Sequence, residues 1–221
     1  MNYKKISMET QISAPIPVSP PPISASIPLD YSSKIIRLIG SIGRETTQKV
    51  AEWLTNLYKA PIHKLDSNVK YERRNGILVP EVDEITIEIN SWGGDCDDGF
   101  VAYDMLKSVP KDTKIITIVT GYAASAASVI FCAGDDRYIT SGSQLLIHQA
   151  CFPFMVYMRE EDMKVYTENL IKCNNRIVDT YAKVTGKSKS AIRKDIQVTD
   201  KMLIGQEAID YGLANKMLFV R

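Results

Sequence analysis

Ser125 lies within Ile115–Gly134, IITIVTGYAASAASVIFCAG, where a β-branched apolar run meets a stretch of small residues. The run Ile115 to Val119 predicts a buried strand. Gly121 then breaks it, and Ala123–Ala127 opens into an apolar helix ending near Gly134. A serine at such a junction has unpaired backbone N–H groups beside it and the positive end of the helix dipole. Those groups stabilise the negative charge that develops on a carbonyl oxygen during acyl transfer. An arbitrary serine at a helix start more often bonds its own preceding turn, so position alone does not make a nucleophile. The paired glycines Gly93-Gly94 end a second predicted strand, where they permit positive φ and a close approach of backbone to a ligand. His148 closes the apolar run LLIH, a place where a lone histidine is more often a satisfied core group than a catalyst. Asp95, Asp97 and Asp98 open a helix, where capping and the dipole explain acidic residues without a metal.

The elements that must position these residues alternate between strand and helix. Lys34–Ile39 reads as a strand ended by Gly40-Ser41 and Gly43. Arg44–Tyr58 carries Val50, Trp53, Leu54 and Leu57 at helical spacing, a stripe that faces a core. Residues 61–82 are polar and irregular, with Asn75-Gly76 as a hairpin signal and His63 as an exposed loop histidine. Glu84–Asn90 alternates as a strand, and Asp97–Ser108 follows as a helix. Arg137–Thr140 and Ser143–His148 are short strands around Ser141-Gly142. Glu160–Val184 is a long helix with apolar Met163, Tyr166, Leu170, Ile177, Val178 and Tyr181. Lys187–Asp195 is a short helix, Asp200 falls in a loop, and Gly205–Tyr211 with Leu213–Phe219 close the chain as helix and strand. This order predicts an α/β protein whose connections are mostly right-handed crossovers. No GxGxxG, P-loop or EF-hand pattern is present.

At 221 residues the chain is long enough for one well-cored domain. A net charge of +1 argues against a nucleic-acid surface. The cysteines Cys96, Cys132, Cys151 and Cys173 show no CxxC or zinc spacing, and Cys132 belongs to the apolar helix and its core. Neither metal nor cofactor is expected. Reduced thiols, no signal-peptide pattern and no run near ~18 apolar residues predict a soluble, cytoplasmic protein without a membrane partner. Residues 1–32 stand apart as a Pro/Ser-rich flexible segment, with six of the ten prolines in Ala14–Pro28. The domain proper is then 33–221.

Several stretches together resemble the ClpP family of serine peptidases, the proteolytic subunit of ATP-dependent proteases. Ile89-Asn90-Ser91-Trp92-Gly93-Gly94 is similar to the family's INSPGG, and Gly121-Tyr122-Ala123-Ala124-Ser125-Ala126 to GxAASMG. Leu146-Ile147-His148-Gln149 is similar to MIHQP. Asp200-Lys201-Met202-Leu203 and Gln206–Leu213 look like D-x-F-M and A-x-E-A-x-x-Y-G-L. The likeness runs from about Lys34 to Val220. It implies a ClpP/crotonase-like α/β superhelix of repeated strand-strand-helix units with a long handle helix. It also implies a triad of nucleophile Ser125, general base His148 and orienting Asp200, with the backbone N–H groups of Gly94 and Ala126 as oxyanion donors. On that carry-over glycine is wanted at 94 because a Cβ would crowd the scissile carbonyl. Ser128 and Asp195 are rivals in type but do not hold the matching motif positions. The family implies a heptameric ring, single or doubled, acting on peptide and protein substrates, with an AAA+ unfoldase as partner.

The chain departs from the pattern at defined places. Trp92 stands where the family has proline, implying a looser turn or a reshaped cleft, and Ala150 stands where proline follows the histidine. The Gly-rich segment that forms a substrate strand and begins the ring-to-ring handle is replaced by Cys151–Tyr157. Residues 61–82 form an insertion, and the Pro-rich start aligns with no axial-pore hairpin. Other readings stay open: an inactive ring or scaffold subunit, and a stand-alone, viral-type processing protease. A crotonase-type acyl-CoA enzyme would leave the Ser–His–Asp set without purpose. A signal-peptide-peptidase-like serine–lysine enzyme usually carries a membrane anchor, and none is seen.

Overall fold

The computed structural model describes residues 34–59, 71–74, 77–80, 82–151, 157, 159–197 and 199–219. The expected Pro/Ser-rich arm, His63 and most of Cys151–Tyr157 lie outside them.

Five parallel strands form the spine, in the order β1-β4-β5-β6-β9. They are β1 (Ile35–Ile42), β4 (Glu84–Gly94), β5 (Lys114–Ala124), β6 (Asp136–Thr140) and β9 (Lys216–Leu218). Helices α1 (Arg44–Lys59), α2 (Cys96–Lys107) and α3 (Ala126–Phe131) fill the early crossovers. The insertion contains an antiparallel hairpin, β2 (Tyr71–Arg74) with β3 (Ile77–Pro80), paired from Tyr71↔Pro80 to Arg74↔Ile77 around the Asn75-Gly76 signal. The later chain supplies β7 (Gln144–Ile147), α4 (Glu160–Thr185), α5 (Lys189–Gln197), β8 (Lys201–Ile204) and α6 (Gln206–Tyr211). This is the ClpP-type α/β fold, with α4 as its long handle helix.

Gly121 does not break the strand. β5 continues to Ala124 but changes partners, pairing β6 over Ile116–Val119 and β7 over Tyr122–Ala124. Glycine is required there for a packing reason: a Cβ would lie 2.4 Å from Asn90 Oδ1, which accepts the Tyr122 N–H at 3.1 Å. The registers of β1 and β4 slip at the same level, between Ile39 and Ser41 and between Ile89 and Ser91. The spine therefore bends along one line, and everything beyond it carries the cleft.

The core matches the expected stripe on α1. Val50, Trp53 and Leu57 are buried and share one apolar cluster with Ile85, Ile87 and Ile89 of β4 and Phe100 of α2. Each such side chain contributes roughly 1.5–3 kcal/mol by leaving water. Asp95 caps α2 by accepting the Asp98 N–H at 2.9 Å, so the acidic cluster serves capping. Cys132 is buried in the core, where lack of solvation pushes its thiol up to about 12. The buried Arg137 guanidinium is satisfied by the carbonyls of Gly134, Val184, Gly212 and Leu213, which ties the end of α4 to the C-terminal elements. Only the second half of α4 is a core helix: Ile177, Val178 and Tyr181 are buried, while Met163, Val165, Tyr166 and Ile171 stay exposed. The apolar stripe read across the whole helix is thus left uncovered over its first turns.

Candidate active site

Ser125 occupies the residue between β5 and α3 with φ 53° and ψ −125°, the one non-glycine residue at positive φ among those described. Its backbone is pinned on both sides. The N–H donates to Leu146 O at 2.9 Å, and the carbonyl accepts from Ser128 N at 2.9 Å and Ser128 Oγ at 2.6 Å. Its side chain makes no capping bond, so the hydroxyl is not consumed by the turn as an ordinary helix-start serine's would be. The strained backbone leaves the hydroxyl uncommitted at the wall of a cleft that Ser125 lines. Helix α3 starts at Ala126, three residues later than the small-residue stretch suggests, and is only six residues long. Any field at Ser125 comes from the unpaired first-turn N–H groups more than from a long macrodipole.

The end of β4 passes directly over this junction. A Cβ on Gly93 would lie 2.5 Å from Ala124 O, 2.7 Å from Ser125 Cβ and 3.1 Å from Ala126 N. Gly94 faces the other way: its Cβ would meet Ile42 O at 2.1 Å and Ser41 Oγ at 2.9 Å. The expectation that glycine at 94 makes room for the scissile carbonyl is corrected on this point. Its neighbour is the backbone of β1, and Gly93 is the residue that approaches the nucleophile. Ser91 braces the turn, its hydroxyl donating to Gly40 O and accepting Gly93 N–H at 3.0 Å. Trp92 stacks on Tyr122 with centroids 3.9 Å apart and does not line the cleft.

His148 follows β7 directly. β8 pairs antiparallel with β7, ending at Ile147↔Lys201, so one further step of register sets His148 opposite Asp200. His148 Nδ1 stands 3.9 Å from Asp200 Oδ1, with the histidine mostly buried and the aspartate 65% exposed. This is ion-pair range but longer than a hydrogen bond. β8, which creates the juxtaposition, has no counterpart among the expected strands.

Gly94, Ser125, Ala126 and His148 line one cleft of about 100 Å³, completed by Cys96, Val129, Ala150, Cys151, Ile177 and Tyr181. Four of the five expected site residues therefore share a cavity, and Asp200 stands behind the histidine. The rivals are otherwise engaged. Ser128 is buried, with its hydroxyl between Ser125 O and Tyr181 OH, and Asp195 accepts the Tyr211 hydroxyl at 2.8 Å. Burial pushes the Tyr181 hydroxyl up, so it stays a neutral wall of the cleft. The neighbouring Cys173 of α4, together with burial, pushes the Cys96 thiol up, so it stays protonated. The contributions of Cys96, Val129, Ile177 and Tyr181 could be found in the sequence only as core positions. Among the described residues, no group of three or more His, Cys, Asp or Glu side chains is arranged to hold a metal.

Cys151 is exposed at the mouth of the cleft. A bulky maleimide on it will slow peptide turnover roughly tenfold by obstructing substrate placement, and Cys151→Ser will be fully resistant. Unchanged turnover after complete labelling, checked by intact mass, would remove Cys151 from the substrate path.

Comparison with known proteins identifies relatives of the chain. The family model described as Clp protease matches residues 78–221. The ATP-dependent Clp protease proteolytic subunit 1 of Chlamydia abortus is 36% identical over 137 residues, 61% of this chain and 70% of that protein. The subunit of the same name from Mycolicibacterium paratuberculosis is 34% identical over 140 residues, 62% of this chain and 65% of that one. A solved point mutant of ClpP1 from Listeria monocytogenes superposes with a TM-score of 0.68 at 25% identity, covering 86% of this chain and 94% of that one. With the matched region spanning both the Ser125 junction and the His148–Asp200 register, this chain belongs to the Clp protease family.

Proposed function

We propose that the chain is a serine endopeptidase in which Ser125 is the nucleophile, His148 the general base and Asp200 its orienting carboxylate. The observation that carries this reading is the convergence of Ser125, His148, Gly94 and Ala126 on one cleft, with Asp200 at the back of the imidazole. Ser125 Oγ attacks the scissile carbonyl and passes its proton to His148. The oxyanion is taken up by the N–H groups of Gly94 and Ala126, and His148 then protonates the leaving amine. Water, activated by the same imidazole, releases the acyl-enzyme.

Intact-mass labelling with a fluorophosphonate tests it. One adduct per wild-type chain, abolished by Ser125→Ala and by His148→Ala, is expected. A folded protein that takes up no adduct would overturn the assignment. The 3.9 Å separation favours one alternative, a ring subunit whose triad is not closed, and the same labelling separates the two. Asp200→Asn will lower kcat by about 10²-fold, less than for a fully buried triad acid, because a solvated carboxylate beyond hydrogen-bond distance stabilises the imidazolium less. Asp195→Asn will leave kcat within twofold, and the reverse order of the two effects would reassign the third member.

The reading extends to assembly: a heptameric ring, single or stacked, served by an AAA+ unfoldase. Its support on this chain is the exposure of large apolar residues, Met163, Val165 and Ile171, along the first half of α4. The reading takes 33–221 as the peptidase domain, with residues 61–82 as an insertion. No helix among the described residues is long and apolar enough to cross a membrane. Native mass spectrometry of the full chain gives the ring number directly.

A further inference from the structure

The segment that delivers His148 to the cleft leaves its strand at Ile147, so by Ala150 its backbone has no ladder to hold it. Its polar groups are taken instead by one side chain from α4. Ala150 N–H donates to Asn174 Oδ1 at 2.7 Å, and Asn174 Nδ2 donates back to Ala150 O at 3.5 Å. The amide thus pairs with both backbone groups of Ala150 in the way a neighbouring strand residue would. The stretch of α4 that carries Asn174 is itself fixed on the opposite wall. The Arg176 guanidinium lies 4.0 Å over the Phe100 ring while pairing with Asp104, both on α2. One and two turns further, Ile177 and Tyr181 line the cleft.

We propose that Asn174 is a positioning residue for His148, holding through Ala150 the segment on which the imidazole is carried. The proposal rests on His148 being the base of the reaction proposed above. The sequence gives it a second support. Ala150 stands where the resembled motif has proline, which fixes its own φ and has no N–H to satisfy. An alanine there brings conformational freedom and a donor, and Asn174 restrains the one by capturing the other.

Three measurements on the full chain test the proposal. Amide hydrogen exchange should show Ala150 protected in wild type and released in Asn174→Ala, with α2 and the core strands unchanged. Peptide hydrolysis should show Asn174→Ala lowering kcat about tenfold, with KM within twofold, because the loss falls on placement of the base and not on substrate contacts. In an Ala150→Pro background, whose fold is checked by thermal melting, Asn174→Ala should change kcat less than twofold. Unaltered exchange at Ala150, or an equal loss of kcat in both backgrounds, would overturn the role. If Ala150→Pro does not fold, exchange together with the kcat–KM split decides alone. If wild type neither hydrolyses peptide nor takes up fluorophosphonate, the peptidase reading has failed, and exchange still decides whether Asn174 holds the segment.

Discussion

Ser125→Gly will leave the protein inert and make it more stable than wild type. The backbone at Ser125 lies at φ 53° and ψ −125°, a region that glycine enters freely and a residue with a Cβ does not. Strain of this kind costs of order 1–3 kcal/mol, while glycine loses back roughly 0.5–1 kcal/mol through its greater freedom in the unfolded chain. The balance is a gain of about 1 kcal/mol, or roughly 2–4 °C in Tm for a chain of this size. Hydrolysis will fall by about 10⁶-fold, as when the nucleophile of a serine triad is removed. Ser125→Ala will be equally inert without the gain, since it keeps the Cβ at positive φ. The pair of variants separates stored strain from lost chemistry, and both are read by thermal melts and peptide turnover at matched protein concentration. A Ser125→Gly protein that melts below Ser125→Ala would show that the junction is not strained. One that still hydrolyses peptide would show that Ser125 is not the nucleophile.

That strain explains what could be read in advance and what could not. The change from β-branched residues at Ile115–Val119 to small ones at Ala123–Ala127 marks a strand-to-helix junction, because both signals are local. Gly121 misleads for the same reason. Viewed locally a glycine ends a strand, whereas here it makes room for Asn90, a residue of the neighbouring strand. Asp200 was legible only through the resemblance, because its place beside His148 depends on the β7–β8 register, set by an antiparallel pair that connects residues more than fifty positions apart. β8 itself is four residues long, too short for alternation to announce it. Asn174 is less legible still. It sits on a polar stretch of a long amphipathic helix, and only the arrival of Ala150 beside it gives its amide a task. The stripe on α4 was legible as apolar but not as covered, since periodicity reports a face and not what lies against it.

The second large effect will come from glycines that touch no substrate side chain. Gly93→Ala will lower kcat/KM by about 10³-fold, comparable to the loss of an oxyanion donor. The added methyl would have to occupy space 2.5 Å from Ala124 O and 2.7 Å from Ser125 Cβ, so either the end of β4 lifts or Ser125 turns. Both movements separate the Gly94 amide from Ala126. Gly94→Ala will reach the same loss by another route. Its methyl would meet Ile42 O, the carbonyl that accepts the Asp95 N–H at 2.9 Å, and so would press β1 away from the N-cap of α2. Because that contact is structural, Gly94→Ala should also destabilise the fold, by about 3 kcal/mol. Gly142→Ala is the control, since a Cβ there meets nothing within 4 Å. Denaturant unfolding and kcat/KM on the three variants give the answer. If Gly93→Ala stays within tenfold of wild type, the close packing of β4 on the nucleophile is not what builds the oxyanion site. If Gly93→Ala loses activity at unchanged stability while Gly94→Ala loses both, the two adjacent glycines divide the work. One then sets the distance from the turn to Ser125, and the other sets the distance from the turn to the sheet.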